Sequence, residues 1–284
     1  MKAVVAGVDL TPIGRRVADR ARLVAEVAAA PLELLHVMET MADAMVPDSL
    51  VRLVDGHRSA EAKAVFDWVR GRTEVPIDLT LAKGSPGWEL VRASKHADLL
   101  VVGSSSVDAG RLGPVAASAT GMALSDVLVV RRQPRSPYKK VLAAVDMSEA
   151  SKSAVGATLR RFPEAEVTAL FALPTRFDNV LVGAGLFTEE ISASRTVRIE
   201  EAEDRMEEFV ENWPGRVRAM VVDGPPQETV DEIARRRGAD LIAVASRGSG
   251  ATRMTLLGSV AGAVASDAPC DVLVARVPSQ FRRP

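Results

Sequence analysis

Short, almost unbroken runs of aliphatic and β-branched residues alternate along this chain with longer stretches whose apolar positions recur every three or four residues. In the first half the strand-like runs are AVVAGV, LELLHV, IDLTLA, DLLVVG and DVLVVR. The fourth and fifth show no polar alternation, the pattern of strands covered on both faces. Between the first two lies PIGRRVADRARLVAEVAAA, in which Val17, Ala21, Val24 and Ala28 share one helical face and Pro12 suits an early helical position. A second helix is predicted over 49–70 and a third from Pro86. Strands and helices alternating at this length specify right-handed crossovers and a parallel, doubly wound α/β sheet. Open sheets of that kind bind ligands beyond the carboxyl ends of their strands.

The second half repeats the first. KAVVAGVDLT (2–11) is matched by KKVLAAVDMS (139–148), HADLLVVGSSS (96–106) by GADLIAVASRG (238–248), and SDVLVVRR (125–132) by CDVLVARV (270–277). The offsets are 137, 142 and 145, so order and spacing hold and only small insertions separate the copies. In the second copy, helices are predicted over SEASKSAVGATLRRF, around 189–213, and over PQETVDEIARRR. The intervening RRQPRSPYK, with two prolines and several charges, reads as a linker. The expectation is two domains, 1–133 and 134–284, each a five-stranded, mostly parallel sheet flanked by helices.

Composition narrows the function classes. The 284 residues suit two domains of about 140. A formal charge of −1 leaves no basic footprint for nucleic acid and no bulk attraction to an anionic membrane. No apolar run approaches the roughly 20 residues that span a bilayer. Cys270 is the sole cysteine and reads as a small core residue. With no export-signal pattern at the N-terminus, it points to a reducing cytoplasm. The histidines, His36, His57 and His96, all lie in the first half without zinc or iron spacing, so no metal site is assigned. Ser246, Ser249 and Ser259 have no evident activating partner, and no catalytic residue is assigned. Trp68, Trp88 and Trp213 are scattered, as packing residues are.

One stretch carries candidate chemistry: ASRGSGATRMTLLGSV, Ala245 to Val260. It runs from the end of the DLIAVA strand to a helix that starts near Ser259, on the ligand-binding edge of the sheet. Gly248 and Gly258 remove side chains where backbone amides could approach a ligand, and Gly258-Ser259 would present N–H groups and a hydroxyl at a helix N-terminus, where anions are favoured. Arg247 adds a positive charge. It is neither a Walker loop nor a dinucleotide fingerprint, and glycines that turn the chain before a serine cap are the plainer alternative.

On these residues the chain resembles a tandem universal stress protein. The nucleotide-binding branch of that family carries Gly, two residues, Gly, nine residues, then Gly-Ser or Gly-Thr. Here Ala245 stands at the first glycine, followed by Gly248 and Gly258-Ser259. Asp146 after the first strand of the second repeat and Pro269-Cys270-Asp271-Val272 before its last strand match the family pattern as well. The resemblance implies a stress-response protein that binds ATP in the C-terminal domain. Asp146 and the backbone near Ala172 would face the adenosine end, with Ala245 near the ribose. Arg247, Gly248, Gly258, Ser259 and Val260 would surround the phosphates. In the family the last strand of one domain commonly pairs with that of another, so DVLVVR and DVLVAR could pair within this chain. The resemblance further implies a homodimer with a protein partner that it does not name.

The first repeat departs from that pattern. GSSSVDAGRLGPV (103–115) keeps the first glycine, puts Ser106 at the second, and is three residues shorter before Gly113. Pro114 stands where the phosphate-binding serine would be, and proline supplies neither hydroxyl nor N–H. The expectation is one nucleotide site, not two, with Asp9 kept as a helix cap. Two rival readings remain: a scaffold that binds no nucleotide, and a slow ATPase with at most weak hydrolysis.

Overall fold

Both halves of the computed structural model realise the alternation, over the described residues 3–39, 47–104, 112–174, 188–246 and 257–276. The first half runs β1 (Val4–Gly7), α1 (Pro12–Val27), β2 (Leu32–Met38), α2 (Asp48–Arg70), β3 (Ile77–Lys83), α3 (Pro86–Ala93), β4 (Leu99–Gly103), α4 (Pro114–Met122) and β5 (Asp126–Val130). The second runs β6 (Lys140–Ala144), α5 (Glu149–Arg161), β7 (Glu166–Leu173), α6 (Thr188–Val210), β8 (Val217–Asp223), α7 (Pro226–Arg237), β9 (Leu241–Ala245), α8 (Ser259–Asp267) and β10 (Asp271–Ala275). Thr11 starts α1 by accepting the Ile13 amide on its hydroxyl at 3.2 Å, and Pro12 follows at the first helical position, as its lack of an N–H allows. Of the predicted face of α1, Val17, Ala21 and Val24 are buried at 2% exposure or less, whereas the helix ends at Val27 and Ala28 follows as a half-buried C-cap.

By contact the chain divides into two units, Met1–Pro137 with Asp271–Arg276, and Tyr138–Cys270 with Val277–Pro284. In the first, parallel strands follow the order β3-β2-β1-β4-β5. In the second the order is β9-β6-β7-β8, again parallel. The near-continuous apolar runs are the most deeply buried strands: β4 and β9 bury Leu99, Leu100, Val101, Leu241, Ile242 and Ala243 almost completely.

The last strand of the second repeat, β10, lies in the first unit, antiparallel to β5 with Leu273 opposite Leu128. Charged groups pin it there. Arg20 Nε donates to Asp271 Oδ2 at 3.1 Å, with the two side chains 6% and 1% exposed. Asp271 Oδ1 also accepts the amides of Arg131 and Arg132, at 2.7 and 3.0 Å. In return the Arg276 amide donates to Asp126 Oδ1 at 2.6 Å. The Arg276 guanidinium donates to the carbonyls of Ala119 and Thr120, at 3.0 and 2.6 Å, satisfying the C-terminal end of α4. Cys270, immediately before β10, is buried and forms no disulfide, as its neighbourhood predicts. Trp68 and Trp213 pack, under Arg72 and against Phe209 respectively, whereas Trp88 is 65% exposed. No helix among the described residues is long and apolar enough to cross a membrane.

Candidate functional site

In the second unit, β6 lies between β9 and β7, so the carboxyl ends of three neighbouring parallel strands share one edge. Asp146 follows β6 directly. Its Oδ1 accepts from the Ser148 amide at 3.2 Å, from the Ser148 hydroxyl, and from the Ser151 hydroxyl at 2.6 Å. Ser148 is itself the N-cap of α5. The carboxylate thus organises the turn that opens this helix. The turn passes through Met147 at φ 59°, the left-handed region that a non-glycine residue rarely takes. Ala172, the penultimate residue of β7, is 7% exposed, and Ala245 ends β9.

Ala245 stands where the first repeat has Gly103, and the structure explains the exchange. A Cβ at Gly103 would meet Ile13 Cγ2 at 2.5 Å and Val17 Cγ2 at 3.3 Å. Thr11 and Ser148 are the N-caps of α1 and α5, so the residues equivalent to Ile13 and Val17 are Ala150 and Ala154. The second unit moves bulk from the helix to the strand end. Ala245 is not among the residues with positive φ, so its methyl does not strain the backbone.

Gly258 closes the loop by donating its amide to the Ser246 carbonyl at 2.9 Å, which sets the start of α8 beside the end of β9. Gly258 is the N-cap at φ −62°, ψ 151°, and among the described residues no side chain caps this helix. The amides of Ser259, Val260 and Ala261 precede the first bond of the helix ladder, from Gly262 N–H to Gly258 O at 2.8 Å. Ser259 is exposed. The edge therefore brings together Asp146, Ala172, Ala245, Gly258, Ser259 and Val260, while Arg247 and Gly248 lie outside the described residues. Such an end suits an anion: amides without a side-chain cap among the described residues, no side chain at Gly258, and the positive pole of the helix.

The first unit preserves the frame with other contents. Asp9 Oδ1 accepts the Thr11 and Gly14 amides, at 3.0 and 2.9 Å, so Asp9 caps α1 as expected. The Gly113 amide donates to Ser104 O, the counterpart of the Gly258 bond, and Pro114 then opens α4. Behind these residues is a cavity of about 710 Å³, lined among others by Asp9, His36, Val37, Gly103 and Pro114. His36 is the residue the sequence reading passed over. It sits within β2 at 6% exposure, with Nδ1 2.8 Å from the Val8 carbonyl and Nε2 buried without a hydrogen-bond partner. The amides of Val8 and Val145 bond to Leu35 O and Leu170 O, so the second-unit counterpart of His36 is Phe171. That substitution between repeats was the available signal. Among the described residues no cluster of three or more histidine, cysteine or acidic side chains could hold a metal ion.

Comparison with known proteins sets this geometry in context. The model of the universal stress protein family matches residues 1–131 and again 137–276. A universal stress protein of Methanocaldococcus jannaschii is 30% identical over 145 residues, covering 50% of this chain and 85% of that protein. One from Mycobacterium tuberculosis is 32% identical over 161 residues, covering 51% of this chain and 56% of that protein. Among solved structures, a universal stress protein of Archaeoglobus fulgidus aligns with a TM-score of 0.71 over 96% of this chain and 98% of its own, at 18% identity.

Proposed function

Because the chain belongs to the universal stress protein family, with both of its halves matched, we propose that its second unit is an adenine-nucleotide sensor. ATP is held with its phosphates on the start of α8 and its adenosine toward β6 and β7. The observation that carries this reading is the α8 N-terminus, which no described side chain caps, beside the end of β9. The amides of Ser259 and Val260 and the Ser259 hydroxyl donate to phosphate oxygens, and Gly258 leaves room for them. Arg247 and Gly248 complete the grip on the strength of the sequence alone. Asp146 holds the turn after β6 in place and meets the adenosine end, with the backbone near Ala172 on its other side. In this reading the protein binds ATP without needing to turn it over. Occupancy changes the association of this cytoplasmic chain with a second copy or with a protein partner by favouring one conformational state over another.

Calorimetric titration tests it. We expect one ATP per chain for the native protein. Gly258→Asp should weaken binding at least about 100-fold, because a carboxylate at that position caps α8 itself and places negative charge where phosphate would sit. Absence of heat at millimolar ATP would leave the scaffold reading. Phosphate release abolished by both Gly258→Asp and Ser259→Ala would favour the ATPase.

A further inference from the structure

The cavity of the first unit is built for different chemistry. Its volume of about 710 Å³ falls in the range of small-molecule pockets. The wall is mostly aliphatic, with Leu10, Ile13, Val37, Leu90 and Val102 prominent. At its phosphate end Pro114 offers neither N–H nor hydroxyl. Among the described residues the charged ones in the lining are Asp9, Glu39 and Arg58, two carboxylates to one guanidinium, which does not favour a polyanion.

Against this apolar wall stands, among the described residues, one unsatisfied buried side-chain atom. A carbonyl can only accept, so the 2.8 Å contact with Val8 O puts the hydrogen on His36 Nδ1. In the neutral ring that tautomer leaves Nε2 as a bare acceptor. The atom is buried and without a partner, a rare condition for a side chain that lines a cavity. The second unit has Phe171 at the equivalent place, so the acceptor belongs to the first unit alone.

We propose that this cavity binds a small, uncharged, phosphate-free and largely apolar molecule, such as a heteroaromatic, whose N–H or O–H donates to His36 Nε2. Contact with the aliphatic wall supplies its affinity, and the single hydrogen bond selects donors over isosteres that lack one. The site is independent of the nucleotide reading of the second unit.

Indole and 1-methylindole, nearly the same in shape and differing in the N–H, serve as probes of the full-length protein. Titration followed by ¹H–¹⁵N spectra of histidine-labelled protein and by methyl spectra should show indole shifting the His36 Nε2 resonance and the cavity methyls. Indole should bind at least tenfold more tightly than 1-methylindole, and saturating ATP should leave indole bound. His36→Phe should equalise the two probes. Equal affinities in the native protein, no binding of either at millimolar concentration, or displacement of indole by ATP would each overturn the proposal. The native two-probe comparison stands even if His36→Phe folds poorly.

Discussion

The clefts at the strand ends of the two units share a frame and differ in three exchanges. Ser259 opens the helix in one and Pro114 in the other. Bulk sits on the helix in the first unit, with Ile13 and Val17 over Gly103, and at the strand end in the second, where Ala245 faces a helix bearing Ala150 and Ala154. The first buries His36 where the second has Phe171. The carboxylates that organise the turn into the first helix, Asp9 and Asp146, and the loop-closing amides of Gly113 and Gly258 persist in both. The groups that hold the backbone in shape are thus kept, while the helix start, the strand-end bulk and the β2/β7 position that line the two clefts differ. A duplicated fold can diverge in chemistry without losing its scaffold.

The sharpest way to break this contrast is to carry the proline across. Ser259→Pro should weaken ATP binding about 100-fold, or ~2.8 kcal/mol at 1.4 kcal/mol per tenfold, by removing an amide and a hydroxyl together. The thermal midpoint should move little, because proline is comfortable at a first helical position. Unchanged affinity in calorimetry would mean that residue 259 is no part of the grip. A smaller effect tests the exchange of bulk. Gly103→Ala should destabilise the protein by about 1.5 kcal/mol in urea unfolding, as an overpacked contact does. Combined with Ile13→Ala, it should be more stable than the sum of the single changes by at least about 1 kcal/mol. Strict additivity would break the argument that Ile13 dictates the glycine. The smallest effect is expected from Ala245→Gly: ATP affinity within about threefold of native, under ~0.7 kcal/mol. Tenfold tightening would show instead that the methyl obstructs the ligand.

The elements and the repeat were legible because both rest on patterns within a few residues: the near-continuous apolar runs of β4 and β9, the spacing of Val17, Ala21 and Val24, and the cap of Thr11 before Pro12. The start of α8 at Ser259 was legible for the same reason. What escaped depends on contacts across the sequence. Nothing in LELLHVM says that the His36 ring turns to Val8, 28 residues away, and is left with a bare nitrogen. That Ala245 can stand at the family's first glycine is equally hidden in the sequence, because the clash that keeps Gly103 a glycine comes from Ile13, a contact only tertiary packing reveals. Arg276, read simply as the end of a strand, is the residue that satisfies the carbonyl end of α4.

The placement of β10 ties folding to the order of synthesis. The first unit has made its own five strands by Val130, yet the segment that pairs with β5 and supplies Asp271 to Arg20 leaves the ribosome some 140 residues later. At ordinary elongation rates that interval is roughly 7 to 30 s. Throughout it, a nascent chain carries an open strand edge and an arginine still waiting for its counter-ion, the window in which a chaperone would have most to do.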